Sequence, residues 1–139
     1  MNARAAWRKL ISGLERDIKV AHPDLRKHLE VSLEYVKGAH GHAGHYDLPT
    51  LNLDAAGGDV YLALADALDA EGKRLKHKEN QGARWAAGIL RRAQSNRVSA
   101  LGKCTSGELE ALIKARDEEG ETLEDHIERM TRRTIRGGG

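Results

Sequence analysis

Three histidines crowd into six residues, His40-Gly41-His42-Ala43-Gly44-His45, with Asp47 two positions on. Neutral imidazoles bind zinc and similar divalent ions, and three of them with an open position make a catalytic centre. His40, His42 and His45 are therefore the candidate metal ligands, and a divalent metal is the only cofactor the chain suggests. Cys104 is a second candidate. It stands beside Lys103 and just before an expected helix, and both features can lower a thiol pKa. No base is placed near it by sequence, so a small residue packed at a helix start is the simpler reading. A third group is acidic: Asp117, Glu118, Glu119, Glu121, Glu124, Asp125 and Glu128. Paired carboxylates can hold Mg²⁺ or move protons.

The His-x-His-x-x-His spacing resembles part of the ligand motif of metallo-β-lactamase-type enzymes. The likeness covers six residues. Gly44 stands where that motif has an aspartate, and neither its strand-rich pattern nor its downstream ligands follow. The spacing of Glu118, Glu121 and Glu124 is similar to the Glu-x-x-Glu pairs of helical nucleotide pyrophosphatases. No matching acidic pair stands on another helix face, and acids early in a helix also answer its dipole. Phosphate-loop chemistry has no support: no Gly-x-x-x-x-Gly-Lys-Ser/Thr occurs, and no Gly-x-Gly-x-x-Gly follows a strand. A small metal-dependent hydrolase thus ranks last among the readings, and a non-enzyme is expected.

Charge carries the stronger signal. The net charge is +2, but the charges are sorted. Asp54 to Glu71 holds five acids and no Lys or Arg. Lys73 to Lys103 holds nine basic residues against one acid, Glu79. Glu108 to Glu128 is acidic again, and Arg129 to Arg136 is basic. Cationic side chains neutralise phosphates and release counterions, and segregated charge steers docking. Lys73, Arg74, Lys76, Lys78, Arg84, Arg91, Arg92 and Arg97 are the candidate partner-binding residues. Two partner classes fit. One is a protein or nucleoprotein complex, bound as small accessory, regulatory or inhibitory proteins of phages and mobile elements bind theirs. The alternative is direct contact with DNA or RNA through residues 73–103. Trp85 lies within the stretch and reads as core.

The elements that would position these residues are helices. The chain is rich in Ala and Leu and has no Phe. Ala and Leu lose little side-chain entropy in a helix. Trp7, Leu10, Ile11, Leu14 and Ile18 place one apolar face on a helix over 3–20. Leu25, Leu29, Leu33 and Val36 do so over 23–37, with Pro23 at the start and Gly38 as the stop. A Gly/His-rich loop is expected over 38–58, pinned to the core by Leu48, Leu51 and Leu53. Asp59 caps a third helix over 60–78 that bends or ends at Gly72. A polar connection over 76–82 leads to a fourth helix over 83–100, with Trp85, Ile89, Ala93 and Leu90 inward. Thr105 and Glu108 make a capping box for a fifth helix ending near Gly120. Thr122 and Asp125 start a sixth, with Leu123, Ile127 and Met130 on its face. The expected fold is all-α: an irregular bundle of five to six short amphipathic helices. Residues 1–136 form a single helical domain, and 137–139 are a Gly tail.

A core of small knobs buries less area per residue than one with Phe, and burial contributes roughly 25 cal/mol per Å². Pairing with a second copy would add area, so a homodimer is a further candidate partner. No stretch is long and apolar enough to span a membrane, and no secretory h-region follows the N-terminus. One cysteine excludes an intramolecular disulfide. A cytoplasmic location is expected.

Overall fold

The structure, a computed structural model, describes residues 1–119, with side chains described through Lys114. The expected sixth helix and the Gly137–Gly139 tail lie outside the described residues. Within them the protein is all-helical: α1 (Ala3–Val20), α2 (Pro23–Ala43), α3 (Val60–Arg74), α4 (His77–Leu101) and α5 (Ser106–Glu119).

Local chemistry sets most helix starts. Asn2 accepts a hydrogen bond from the Ala5 amide at 2.7 Å and caps α1. Pro23 opens α2, where its missing N–H costs nothing. Asp59 accepts from the Leu62 amide at 3.2 Å and caps α3. At α5 the Glu108 amide donates to Thr105 Oγ1 at 3.2 Å, and the Thr105 hydroxyl donates to the Glu108 carboxylate at 3.1 Å. Half of the expected capping box forms, because the Glu108 carboxylate takes the Thr105 hydroxyl instead of the Thr105 amide.

The apolar faces then dictate the packing. α1 buries Ala6, Trp7, Leu10 and Leu14. α2 buries Leu25, Leu29, Val36, Ala39 and Ala43. α4 packs most extensively on α2 and α3, and α5 rests on α1. The α2–α4 pair is antiparallel. Ser32 Oγ donates to the Ala93 carbonyl at 3.0 Å, and the Asn96 amide donates to the His28 carbonyl at 2.8 Å. Near the other end the Tyr46 hydroxyl donates to the Glu79 carbonyl at 3.0 Å. The seam is lined by small residues, with Ser32, Ala39, Ala43, Ala86 and Ala93 fully enclosed. Small side chains let two helix backbones approach closely.

Three helix boundaries differ from the sequence expectation, each through tertiary contacts. α2 does not stop at Gly38 but runs to Ala43, so His40 and His42 are helical and not in a loop. Each glycine in a helix costs up to about 1 kcal/mol. Burial of Ala39 and Ala43 against the neighbouring helices outweighs that cost. α3 ends at Arg74, and α4 begins at His77, inside the stretch expected to be a connection. The first turns of α4 are apolar-poor, but Tyr46 holds one carbonyl there and the Asn80 amide bonds the Gly72 carbonyl.

Gly72 also lets α3 and α4 meet: a Cβ there would lie 3.1 Å from Arg84 Cγ. The loop between α2 and α3 is shorter than expected but is anchored as expected. Leu48 and Leu51 are buried, Leu53 packs against the core, and the Leu51 amide donates to the Met1 carbonyl at 2.8 Å. Gly57 and Gly58 have φ of 66° and 82°, which favours glycine at both positions. No helix among the described residues is long and apolar enough to cross a membrane.

Candidate binding surface on helix 4

α4 has three sides. Ala86, Ala93 and Asn96 face α2. Ala87, Arg91 and Gln94 face α3, where Gln94 donates to Asp59 at 3.2 Å. The third side faces water. Gln81, Arg84, Trp85, Gly88, Arg92, Ser95 and Ser99 recur three or four residues apart and fall on that side. All are exposed except the half-buried Gly88. No acid stands among them. Lys78 and Lys103 flank the stripe at its two ends, and both are exposed.

The expected cationic surface is therefore narrower than the whole stretch 73–103. Arg74 pairs with Glu71. Arg91 reaches Asp66 at 3.1 Å and also bonds Asp69. Arg97 points inward at Asp17, 3.9 Å from Nη2 to Oδ2, and that carboxylate side chain is 1% exposed. These three arginines are partnered within the fold, and the acidic block on α3 supplies most of the partners. Their guanidinium pKa values follow suit: hydrogen bonds to Glu71 and Asp69 push Arg74 and Arg91 upward. Lys73, Lys76, Lys78, Arg84 and Arg92 remain exposed and make no ion pair among the described residues.

Lys76 and Lys78 sit at the start of α4, and the Lys76 cap position has no side-chain hydrogen bond. Cations at a helix N-terminus oppose its dipole, by about 0.3–1 kcal/mol each. Their placement is unfavourable for the helix alone and favourable for an approaching anion.

Trp85 corrects a sequence expectation. It is 47% exposed, not core. Its ring meets His42 edge-on, with centroids 4.7 Å apart at 69°. Beside them on α2, the half-buried Tyr35 and the exposed Val31 share the side that carries His42. A signal for this was available. Ala83, Ala86, Ala87, Leu90 and Ala93 form a complete inward stripe, and Trp85 lies off it.

Comparison with protein families, curated proteins and solved structures finds no match. The functional reading rests on geometry.

The histidines do not converge. His40 packs edge-on to Trp7 at 5.2 Å, His42 meets Trp85, and His45 lies 4.4 Å from Tyr46. Helical continuation through Ala43 turns His40 and His42 about 200° apart around α2. No group of three or more His, Cys, Asp or Glu side chains among the described residues is placed to hold a metal. Cys104 is half-buried, with its thiol 3.5 Å from the Ala100 carbonyl. Burial pushes its pKa up, and the Glu108 carboxylate adds to the effect. That is the opposite of an activated nucleophile. The acidic run from Asp117 to Glu128 lies outside the described side chains.

Proposed function

We propose that the protein is a non-catalytic accessory or regulatory factor that docks onto the anionic surface of a protein or nucleoprotein complex through the outer face of α4. One observation carries this reading: Trp85 stands exposed between Arg84 and Arg92 on an acid-free helix face. Trp and Arg are the residue types that dominate interface energetics when they become buried on binding. The surrounding lysines supply long-range steering, which acts on association rate. A reducing, cytoplasmic setting accords with the single half-buried thiol.

The test is comparative affinity capture from the native lysate, using the full chain and an Arg84→Glu/Arg92→Glu variant. A dominant partner retained by the native chain and lost by the variant supports the proposal. The same partner retained by both defeats it.

The exposure of Trp85 also favours a second reading, direct contact with single-stranded nucleic acid. Cationic grooves with aromatic platforms bind unpaired bases by stacking, at about 1–3 kcal/mol per base. Fluorescence titration with an oligonucleotide across a salt series tests it. A steep salt slope that falls on Arg92→Ala, with affinity lost on Trp85→Ala, supports it. No binding at low salt excludes it.

A further inference from the structure

A cavity lies where α1 meets α2, with His40 in its wall. Arg4, Arg8 and Ser12 are four residues apart and share one line along α1. With Trp7, Ile11 and His40 they line an open cavity of about 430 Å³, a size that accommodates a small organic molecule. Its composition is one-sided. Guanidinium and indole groups donate hydrogen bonds and accept none. No Asp or Glu lines the cavity. Arg4 and Arg8 are exposed and have no ion pair among the described residues.

Trp7 adds an independent observation. It is 3% exposed, and its indole Nε1 is the one enclosed side-chain nitrogen or oxygen without a hydrogen-bond partner among the described residues. Buried donors are normally satisfied, and this fully enclosed one lies beneath the cavity surface, where an occupant reaches it only as the covering side chains shift. Gly44 beneath His40 is part of the construction. A Cβ at Gly44 would come 2.5 Å from the His40 ring, so glycine is what allows the imidazole to sit where it does.

We infer that this cavity binds a small organic oxyanion, a carboxylate or phosphate ester carried on a compact apolar body. The two guanidinium groups would take the charge, the Ser12 hydroxyl would supply a further donor, and the indole N–H would respond as the side chains above it shift. The Trp7 and Ile11 side chains would cover the apolar part. Two cations at the mouth disfavour a metal ion. The inference is independent of the α4 surface.

The test uses phenyl phosphate, benzoate, benzamide and inorganic phosphate as probes, read by calorimetry and by the Trp7 indole N–H resonance. A Trp85→Phe variant assigns that resonance. Saturable binding of phenyl phosphate or benzoate is expected, with movement of the Trp7 N–H signal. The tighter of the two names the anion class. Arg8→Ala is expected to weaken binding about tenfold or more, whereas Lys27→Ala leaves it unchanged. Equal binding of benzamide and benzoate would overturn the anion requirement. Inorganic phosphate binding as tightly as phenyl phosphate would overturn the organic body. No saturable binding up to about 10 mM, or full affinity in Arg8→Ala, would overturn the site itself.

Discussion

Arg91 and Arg92 are consecutive on α4 and have opposite surroundings: the Arg91 guanidinium bridges Asp66 and Asp69 of α3, and Arg92 stands in water without an ion pair among the described residues. One residue rotates the side chain by about 100° around the helix. That rotation separates an arginine that holds α3 to α4 from one available to a partner. Arg91→Ala should lower stability by about 1 kcal/mol or less, because the bridge is partly exposed. Arg92→Ala should leave stability within about 0.5 kcal/mol. Urea denaturation of the two variants checks this, and a larger loss for Arg92→Ala would contradict it.

Asp17 and Arg97 make a different kind of pair. Asp17 is enclosed, and Arg97 is 20% exposed at its side chain. Removing the cation takes one partner from an enclosed carboxylate that keeps a further interaction within the fold. Breaking such pairs typically costs several kcal/mol, whereas removing both members costs less. Arg97→Ala should destabilise by about 1–2 kcal/mol, and Asp17→Asn combined with Arg97→Ala should recover part of that loss. Denaturation midpoints of the single and double variants test this. An unchanged midpoint for Arg97→Ala would show that Asp17 does not depend on it.

Glu71 links folding to acid. Its hydrogen bond with Arg74, more than the opposing effect of burial, holds its pKa below the ordinary carboxylate value. The fold therefore favours the ionised form. Stability from this pair is present above the unfolded-state pKa and is lost as pH falls through the folded one. Arg74 stays charged throughout. Glu71→Gln should make the acid limb of the stability profile shallower while leaving its alkaline limb in place. Urea midpoints between pH 7 and pH 3 measure it, and an unaltered acid limb would contradict the assignment.

Cys104 should react slowly. The thiolate is the nucleophile, and burial beside Glu108 disfavours it. Alkylation by iodoacetamide at neutral pH should be slower in the folded chain than in urea. Because the folded pKa is raised, any contribution of this group to stability is complete below its unfolded value and declines as pH rises through the folded one. Faster alkylation in the folded state would overturn this placement.

The helical class was legible in the Ala- and Leu-rich composition and in the spacing of Trp7, Leu10 and Leu14. Two starts were legible at Asp59 and at Thr105 with Glu108, since a cap is a local hydrogen bond and leaves a local signature. What was not legible depends on contacts distant in sequence. α2 passes Gly38 and Gly41 because Ala39 and Ala43 are buried by other helices. α4 starts early, where Tyr46, 33 residues upstream of Glu79, meets its first turns. The histidine cluster looked like a ligand set because sequence shows spacing without direction. With His40 and His42 on α2 and His45 just past its end, the three turn to different aromatic partners. The basic block was visible as a block, but which arginines α3 would take up depended on the packing of two helices. The α1–α2 cavity was legible only in part: Arg4, Arg8 and Ser12 stand four residues apart on α1, whereas His40 and Gly44 reach it through the packing of α2 on α1.

The most direct measurement is affinity of the full chain for its captured partner against that of Arg84→Glu, Trp85→Ala and Arg92→Glu, with Arg91→Ala as the control on the neighbouring face. Losses of about tenfold or more for each of the three, with the control unchanged, are what the α4 surface predicts. Equal affinity across all four would mean that the partner binds elsewhere on the protein.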